Sequence, residues 1–544
     1  FIIHLTFLCF TLQKMRYTLF IIAIINFGII QAKTNNIDEL PIGLTEHEKN
    51  NINIMYEMGR ETDPPIAPLR NIAEFERMSG ALIRYPLGIS LEIVGELAED
   101  IKVYCLVSSS QQNNAISSFE NANVNMNNVE FILGSTDSYW TRDYGPWWVV
   151  DGSGDVSVVD FTYNRPRPND NDAPFKVSEY LNVPYYSTNL VHCGGNYMTD
   201  GLGTASSSDL VYSENDETDQ QINDLMESYY GIDTYHVLPD PNNTYIDHID
   251  CWGKYLSPTK VLVREVPQNH PQYNEIEYVA SYFSESLTEW GYPWEVHRVY
   301  TPNDQPYTNS LILNEKVLVP IMNSSWDDDA INAYELAMPG YEIIGVTGSW
   351  ESTDALHCRV KGIPDLDMLQ LFHNPLRDTV DSFINEGYMI NAVIDDLSKT
   401  GIVDGSVKVF WKTEAEFEYD STDLYLSLVP EEPNTYTGYL PPQLYGSKIN
   451  YFIQALDSSG RKEKHPMAGH HSFFALPTGI CNSWSLGDVD NSGELNIIDV
   501  ILLSELIVYG NSLGLCCDFV ADINEDGELS IIDIVNLVSM VVNQ

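Results

Sequence analysis

Basic residues are scarce in this chain. Only 28 Lys and Arg residues stand against 78 Asp and Glu residues among 544, so the formal net charge is −50 and the pI is near 4.3. Because phosphate backbones are bound by clustered Lys and Arg side chains, we expect no nucleic acid partner. The acidity fits calcium binding, a saline exterior or attraction of cationic substrates, and plain solubility is the alternative explanation.

Cysteines are also few. The eight of them are spaced too sparsely for a disulfide scaffold, and no CxxC pair indicates a zinc site. A single apolar run, LFIIAIINFGII, follows Met15 and Arg16 and is followed by the small residue Ala32. This pattern predicts a secretory signal peptide over residues 15–32, with residues 1–14 as upstream sequence. We expect no membrane span after its removal, and a secreted protein that is extracellular or associated with the cell surface.

From about Phe75 to Phe372, within a domain expected over residues 45–372, the sequence alternates apolar, strand-like runs such as KVYCLV and KVLVPIM with amphipathic segments such as EIEYVASYFSESLTEWG. This alternation predicts the α/β fold class. A polar residue followed by a turn and a strand recurs at Asp143, Asn196, His248, Asn309 and Cys358. The steps between them are 53, 52, 61 and 49 residues. Near-equal steps predict five similar units around an axis, each bringing one polar group to the centre.

Residues 374–476 have a different pattern of apolar and turn residues. Short strand-like runs such as VKVFWKT and INYFIQALDSSG are separated by turn residues, which predicts an all-β sandwich of the immunoglobulin-like type. This segment contains no Cys, so it lacks a disulfide between its two sheets.

Residues 484–544 contain a duplication. DVDNSGELNIID begins at Asp488 and DINEDGELSIID begins at Asp522, each with a glycine at position 6, Gly493 and Gly527. Regularly spaced side-chain oxygens around such a glycine predict a calcium loop. The predicted ligands are Asp488, Asp490, Ser492, Glu494, Asn496 and Asp499, and then Asp522, Asn524, Asp526, Glu528, Ser530 and Asp533. Two acidic surface loops without an ion are the alternative.

Position 12 of both loops is Asp rather than the Glu of the usual helix–loop–helix site. This doubled departure resembles a type I dockerin domain, a small α-helical calcium-binding module. The resemblance implies a cohesin-like partner recognised through Ile497–Ile498 and Ile531–Ile532. The alternative is that these isoleucines pack the two short helices together.

The stretch YNRPRPND, residues 163–170, holds two arginines, each followed by a proline. Proline fixes φ near −65° and biases the preceding residue toward extended backbone. We therefore expect Arg165 and Arg167 to point to one side, where two guanidinium forks suit an anion such as a carboxylate. A solvated surface turn is the alternative.

A guanidinium group can be held by carboxylates while a thiolate attacks its central carbon and a histidine handles protons. The candidates for these roles are Asp143, Asp250, Cys358 and His248. Each alone has an ordinary explanation: a buried Cys is usually inert, a His-x-Asp pair is usually structural, and Asp143 can pair with Arg142. On a strand, His248 and Asp250 face one side and Cys251 faces the other, which disfavours Cys251 as the nucleophile.

Seven motifs carry a resemblance to a known family: FERMSGALIRYP, WTRDYGPWWVVDG, YNRPRPND, VHCGGNYMTDGLG, DHIDCWGK, TNSLILN and ALHCRVKGIPD. They resemble the bacterial Porphyromonas-type peptidylarginine deiminases over about residues 45 to 475. The resemblance implies the five-bladed α/β propeller called the pentein fold, which agmatine deiminases share. It implies Cys358 as nucleophile, His248 as general acid and base, Asp143 and Asp250 as guanidinium ligands, Asn309 and Trp140 as pocket-lining residues, and Arg165 and Arg167 as ligands of a substrate carboxylate.

The expected function is hydrolysis of the guanidinium group of peptidyl arginine, preferably C-terminal, to citrulline and ammonia through a covalent thiouronium on Cys358. Catalysis is expected to need no cofactor, and the substrates would be arginine-containing peptides or proteins. One alternative is a small-molecule deiminase for agmatine or free arginine. Another is a non-catalytic binding subunit whose work is done by the dockerin-like and sandwich parts.

Overall fold

The computed structural model describes residues 40–382, 387–430, 432–476, 481, 483–510, 515–524, 526 and 529–542. The predicted signal peptide and the residues before it lie outside this range. The described residues 40–51 belong to one compact unit, and the described residues from Ile52 onward belong to another. No helix among the described residues is both long and apolar enough to cross a membrane.

The helices are short, and most lie between strands. In chain order they are α1 Glu46–Asn50, α2 Asn53–Glu57, α3 Leu91–Asp100, α4 Gln112–Asn121, α5 Thr141–Tyr144, α6 Pro168–Asn171, α7 Ala173–Leu181, α8 Leu210–Ser213, α9 Asp219–Tyr230, α10 Tyr273–Glu285, α11 Asp327–Ala337, α12 Leu356–Arg359, α13 Ile497–Tyr509, α14 Leu515–Ala521 and α15 Ile531–Val542. Three 3₁₀ turns cover Met126–Asn128, Gly194–Asn196 and Ile249–Cys251.

The strands fall into two groups along the chain. The first group is β1 Arg70–Asn71, β2 Met78–Arg84, β3 Lys102–Val107, β4 Val129–Leu133, β5 Trp147–Val150, β6 Val156–Tyr163, β7 Tyr185–His192, β8 Met198–Thr199, β9 Thr204–Ser208, β10 Thr234–Leu238, β11 Gly253–Ser257, β12 Lys260–Glu265, β13 Glu295–Tyr300, β14 Leu311–Leu313, β15 Lys316–Ile321, β16 Glu342–Thr347 and β17 Lys361–Pro364. The second group is β18 Leu369–Phe372, β19 Thr379–Asp381, β20 Tyr388–Asp396, β21 Lys408–Thr413, β22 Asp420–Asp423, β23 Tyr425–Leu426, β24 Thr435–Leu440, β25 Lys448–Leu456, β26 Lys462–His465 and β27 His471–Leu476.

Within residues 70–364, all of them described, the strands form five sheets of three or four strands. Each sheet contains an antiparallel pair joined to a parallel neighbour, as in β11–β12 followed by β13 and β14–β15 followed by β16. In the two four-stranded sheets, β1 adds a second antiparallel pair and β4 adds a second parallel one. The parallel neighbour requires a crossover, and a helix supplies it. In α10 the buried residues Ile276, Val279, Ala280 and Phe283 recur with helical spacing, so one face packs on its sheet.

The last strand of this series returns to the first sheet. β17 pairs antiparallel with β2, so residues 361–364 and residues 78–84 share one sheet. Each of the five predicted polar residues comes immediately before the first strand of an antiparallel pair: Asp143 before β5, Asn196 before β8, His248 before β11, Asn309 before β14 and Cys358 before β17. The fivefold repetition read from the sequence is therefore present in the sheets.

Residues 369–476 form two further sheets, β18-β20-β24-β23 and β19-β27-β25-β21-β22 with β26 alongside β25. Their inward side chains share one apolar core that includes Leu371, Tyr388, Val409 and Tyr451. The strand Leu369–Phe372, which the sequence analysis assigned to the first domain, pairs with β20 and contributes to this second core. The second sheet region thus begins before the predicted boundary at residue 374.

The described residues of the C-terminal segment contain α13, α14 and α15. Val500, Leu503 and Leu537 are buried between them, and Cys481 forms a disulfide with Cys516. The isoleucines of the two predicted recognition pairs, Ile497, Ile498, Ile531 and Ile532, are between 51% and 71% exposed. They do not pack the helices together, so that alternative is not supported.

Candidate active site

Five residues predicted to be catalytic lie buried at the ends of different sheets. Cys358, His248, Asp143, Asp250 and Asn309 are each at most 3% exposed. Each is placed by the short turn or helix that precedes an antiparallel pair, and His248 and Asp250 share one turn, so the backbone of four separate segments fixes their positions. Sites built this way depend on the whole repeat rather than on one loop.

The thiol of Cys358 contacts two of these residues. Asn309 Nδ2 donates a hydrogen bond to Cys358 Sγ at 3.2 Å, and Asn309 Oδ1 accepts one from the Cys358 backbone N–H at 3.3 Å. The sulfur lies 3.6 Å from Asp250 Oδ2. The sulfur is therefore held between an amide donor and a carboxylate.

Asp143 and His248 face the same space. Asp143 Oδ1 lies 3.9 Å from His248 Nδ1. A Cβ added to Gly195 would lie 2.6 Å from Asp143 Oδ1, 2.7 Å from His248 Nδ1 and 3.2 Å from Asp250 Oδ2. The missing side chain of Gly195 thus keeps open the space on which these three groups converge.

His248 and Asp250 do not lie on a strand, so the strand argument was wrong. His248 has extended backbone, and Asp250 lies in the 3₁₀ turn Ile249–Cys251, which nevertheless brings both side chains to the site. Cys251 does not lie on an opposite face: its Sγ is 3.6 Å from Asp250 Oδ1. Cys251 and Cys358 therefore contact different oxygens of one carboxylate.

Burial controls the protonation of the site. It raises the pKa of the Cys358 thiol well above its ordinary value, and the carboxylates of Asp250 and Asp143 raise it further. Burial likewise raises the pKa of Asp143 well above its ordinary value, with Asp250 adding to the rise and Arg165 opposing it. It lowers the pKa of His248 to about 3, although Asp250 opposes this.

Asp250 behaves differently from Asp143 because it has a partner. Burial acts to raise its pKa, but the hydrogen bond and charge of His357 outweigh burial and hold that pKa below its ordinary value. His357 Nδ1 lies 2.7 Å from Asp250 Oδ2, and its Nε2 lies 2.5 Å from Glu74 Oε2. His357 therefore bridges Asp250 and Glu74 and fixes the orientation of the Asp250 carboxylate.

Glu74 is the centre of a buried ionic cluster that the sequence analysis missed. Its carboxylate lies 3.1 Å from Lys254 Nζ and 3.2 Å from Arg142 Nη2, and it accepts the backbone N–H of Ile312 at 2.9 Å. Burial opposes ionisation of Glu74, yet the charges of Arg142, His357 and Lys254 hold its pKa well below the ordinary value. Arg142 thus pairs with Glu74, and the proposed alternative in which it pairs with Asp143 is not observed.

Arg165 and Arg167 are buried, at 5% and 1% exposure, so the solvated-turn alternative is wrong. The expectation of continuous extended backbone is also wrong, because the Arg167 N–H donates to the Arg165 carbonyl at 2.7 Å and closes a tight turn at Pro166. Pro168 then begins α6. Arg167 Cζ lies 5.3 Å from the ring centroid of Trp140, which is itself 1% exposed. Trp140 therefore lies beside the arginine pair.

The first predicted calcium loop has its carboxylates gathered. Oxygens of Asp488, Asp490 and Asp499 lie within 4.8 Å of one another. The backbone orients them: Asp488 accepts the N–H groups of Ser492 and Gly493 at 2.9 and 2.8 Å, and Asp499 accepts that of Asn496 at 2.8 Å. Asp488 and Asp499 are buried.

The second loop repeats this arrangement at its described residues. Asp533 accepts the N–H groups of Ile523 and Ser530 at 2.9 and 2.8 Å, and Asp522 accepts that of Asp526 at 3.2 Å. Gly527 and the predicted ligand Glu528 lie outside the described residues. Residues 481–544 contain eleven Asp and Glu residues and no Lys, Arg or His. Buried carboxylates without a basic side chain in their own segment fit a hard divalent cation, which both loops could hold.

The fold has five small β-sheets with crossover helices, and the site has a buried thiol beside an imidazole and two carboxylates. Together they define a deiminase of the pentein type, a hydrolase acting on C–N bonds. The sequence profile described as Porphyromonas-type peptidyl-arginine deiminase matches residues 88–364, just over half of the chain. The chain belongs to this family.

The matches to relatives and solved structures each cover about half of the chain. A putative agmatine deiminase of Mycoplasma mycoides is 26% identical over 299 residues, 47% of this chain and 80% of the relative. The agmatine deiminase of Medicago truncatula is 24% identical over 317 residues, 47% of this chain and 82% of the relative. A solved putative agmatine deiminase has a TM-score of 0.51 at 21% identity over 56% of this chain and 99% of its own. A solved putative peptidyl-arginine deiminase has a TM-score of 0.50 at 20% identity over 55% of this chain and 100% of its own.

Proposed function

We propose that this protein is an exported peptidylarginine deiminase that converts a C-terminal arginine to citrulline and ammonia. The main observation behind this proposal is the environment of the buried Asp143 carboxylate. No N–H or O–H donor among the described residues hydrogen-bonds to either of its buried carboxylate oxygens, and Asp250 faces the same space. A guanidinium group supplies both the donors and the positive charge that this pair of carboxylates needs.

Cys358 is the nucleophile in this proposal. A guanidinium bound between Asp143 and Asp250 offsets the negative charge that raises the pKa of the thiol, so the thiolate becomes accessible when substrate is present. The sulfur forms a bond to the central guanidinium carbon, and the C–N bond to the departing nitrogen breaks. Asn309 holds the sulfur in place for this attack.

His248 is the general acid and base in this proposal. As the sulfur attacks, His248 takes the proton of the Cys358 thiol and passes it to the departing ammonia, which leaves a thiouronium on Cys358; it then takes a proton from the water that attacks the same carbon and returns it to the sulfur. The C–S bond breaks, citrulline leaves and the thiol is restored. The reaction uses side chains alone and needs no cofactor.

Arg165 and Arg167 distinguish the possible substrates. Two buried guanidinium groups beside the site match a substrate carboxylate, and they would repel agmatine, which carries no carboxylate. The charge of Arg165 acts on the pKa of Asp143, which indicates that the arginine lies near the guanidinium-binding space. A C-terminal arginine presents both groups that this pocket complements.

The test compares a peptide ending in arginine with the same peptide amidated. A charge-assisted hydrogen bond contributes about 1.5–3 kcal/mol, so the amide should lose about 100-fold or more in kcat/KM. Replacing both arginines by Ala should narrow the gap between the peptides, and replacement by Lys should restore it in part, since an ammonium lacks the planar fork. Equal rates on acid and amide with the unmodified protein would defeat the proposal.

Agmatine is the second candidate substrate, because the curated relatives named above are called agmatine deiminases. Free arginine is a variant of the first candidate substrate, a C-terminal arginine, since it also carries a carboxylate. Citrulline and carbamoylputrescine formation, measured side by side at equal substrate concentration, separates the three. Faster turnover of agmatine than of either carboxylate-bearing substrate would favour the agmatine reaction.

For the architecture, we propose that the five sheets are the blades of a pentein propeller closed by the β17–β2 pairing. The two sheets of residues 369–476 are proposed to form an immunoglobulin-like sandwich. The disulfide Cys481–Cys516 supports an oxidising, extracellular location, as the predicted signal peptide does.

The C-terminal segment is proposed to be a dockerin-like domain that binds two calcium ions and a cohesin-like module. Its four exposed isoleucines support this, because they occupy positions 10 and 11 of both loops. A pull-down should recover such a module with calcium and lose it when both pairs are changed to Asp. Recovery unaffected by these changes would remove the isoleucines from the interface.

A further inference from the structure

We propose that Asp143, Cys193 and His248 form a zinc site that blocks the substrate-binding space. One ligand atom from each residue lies within 4.8 Å of the other two. All three side chains are at most 1% exposed. A thiolate, an imidazole and a carboxylate are the three types of side chain that bind zinc in proteins.

In two of these ligands, His248 and Asp143, the atoms that would bind the metal are not engaged by N–H or O–H donors among the described residues. Neither ring nitrogen of His248 has a hydrogen-bond partner among the described residues, and neither oxygen of Asp143 receives an N–H or O–H. Both side chains border the space kept open by Gly195. The 3.9 Å between His248 Nδ1 and Asp143 Oδ1 is close to the spacing of ~3.4 Å that tetrahedral geometry gives for bonds of about 2.0–2.2 Å.

Cys193 has no part in the proposed deimination, yet its position is fixed. It lies at the start of the 3₁₀ turn Gly194–Asn196, its backbone N–H donates to His192 Nδ1 at 2.8 Å, and its carbonyl accepts the Asn196 N–H at 3.0 Å. Its sulfur lies within 4.8 Å of an Asp143 carboxylate oxygen and of a His248 ring nitrogen. When zinc binds, the thiol proton leaves to solvent and a Zn–S bond forms.

This donor set selects the metal. Calcium and magnesium take oxygen ligands, whereas sulfur and nitrogen together favour zinc. Three protein ligands leave the fourth position to water. The calcium loops at the C-terminus offer only oxygen, so the two kinds of site can be occupied separately.

Inhibition follows if the proposed function holds, because zinc would occupy the carboxylate and the imidazole that the guanidinium substrate needs. Zinc should therefore compete with the arginine substrate. The metal site itself does not depend on that function, and its test can be made without turnover.

Metal binding is best measured in the full chain carrying Cys358→Ala, with calcium in excess to saturate the C-terminal loops. Added Co²⁺ should give thiolate-to-cobalt charge-transfer absorption, and Zn²⁺ should displace it. Adding Cys193→Ala should abolish the band, whereas adding Cys105→Ala, a buried cysteine on β3, should leave it unchanged. A band that survives Cys193→Ala, or that is missing when only Cys358 is changed, would overturn the proposal.

Activity gives the second readout. Losing the sulfur ligand should raise the zinc concentration for half-inhibition by at least ~10-fold, since even outer partners of metal ligands are worth 10–100-fold. Should Cys193→Ala fail to fold, Gly195→Ala is the substitute: it keeps the thiol, fills the shared space and should also abolish the band. A cobalt band in a protein that deiminates no guanidine compound would retain the metal site and refute the proposed function. Zinc inhibition that is unchanged in Cys193→Ala would refute its role in regulation.

Discussion

The side-chain amide of Asn309 contacts Cys358 from two directions, through its Nδ2 to the sulfur and through its Oδ1 to the backbone N–H. A donor at the sulfur stabilises the thiolate that attacks substrate, so Asn309→Ala should lower kcat/KM by roughly 10- to 100-fold, the value of one hydrogen bond to a charged group. The rate at which iodoacetamide alkylates Cys358 should fall as well. An unchanged alkylation rate would show that Asn309 does not influence the sulfur.

Cys358 and Cys251 form a matched pair, since each sulfur lies 3.6 Å from one oxygen of Asp250. Cys358→Ala should reduce turnover by several orders of magnitude because no nucleophile remains. Cys251→Ala should keep most activity. Steady-state citrulline release distinguishes them, with thermal stability as the check on folding. The reverse result would assign the nucleophile to Cys251.

Gly195 should not tolerate a side chain. The added Cβ of Gly195→Ala would lie under 3 Å from Asp143 and His248, so we expect a loss of about 100-fold or more in kcat/KM. Gly95→Ala, within α3, is the control because its Cβ would have no neighbour within 4 Å. That change should leave activity intact and favour the helix by about 1 kcal/mol. Equal activity in the two variants would remove the argument for the open space.

His373 should make the stability depend on acid. Its Nδ1 donates to the Asn391 carbonyl at 2.6 Å, its Nε2 accepts from Tyr451 at 2.8 Å, and burial lowers its pKa to about 4. Between the unfolded pKa near 6.5 and about 4, only the unfolded chain binds this proton, so stability falls as pH falls.

His373→Gln removes this titration while keeping a donor and an acceptor. Over the same pH range, unmodified protein should lose up to about 3 kcal/mol relative to the variant. Urea unfolding at pH 6.5 and pH 4 measures the difference. Parallel pH profiles for the two proteins would mean that His373 also titrates normally when folded.

Calcium removal should affect only the C-terminal segment. With calcium in the proposed loops, chelation would leave the buried carboxylates Asp488 and Asp499 without a cation, so α13 to α15 should become sensitive to protease while deiminase activity persists. Asp488→Ala with Asp522→Ala should mimic chelation in the presence of calcium. Loss of activity on brief chelation would place an essential ion in the catalytic region.

The sequence was sufficient where a signal is local. The five polar residues each precede a turn and an apolar strand, so short segments locate them, and the predicted calcium loops likewise rest on a fixed local spacing. It was insufficient for Glu74, whose role depends on Lys254 and His357, 180 and 283 residues away. Gly195 was missed for the same reason, because only the folded chain brings Asp143 and His248 against it.

Two errors came from backbone geometry. Alternation suggested a strand for His248 and Asp250, but a 3₁₀ turn presents both side chains just as well. The two prolines suggested continuous extension at Arg165 and Arg167, but proline also suits the tight turn and the helix start observed there. In both cases the chemistry of the side chains was a better guide than the assumed conformation.

The strand Leu369–Phe372 follows β17 after only four residues and already belongs to the second core. Arg461 forms an ion pair with Asp365 at 2.8 Å, and Arg77 forms one with Glu463 at 2.8 Å. The catalytic region and the following sheets are therefore joined by a four-residue connection and by ion pairs. In the full chain these contacts link the two parts, so both should unfold in one cooperative thermal transition. A chain that ends at residue 364, where the family match ends, would lose the contacts.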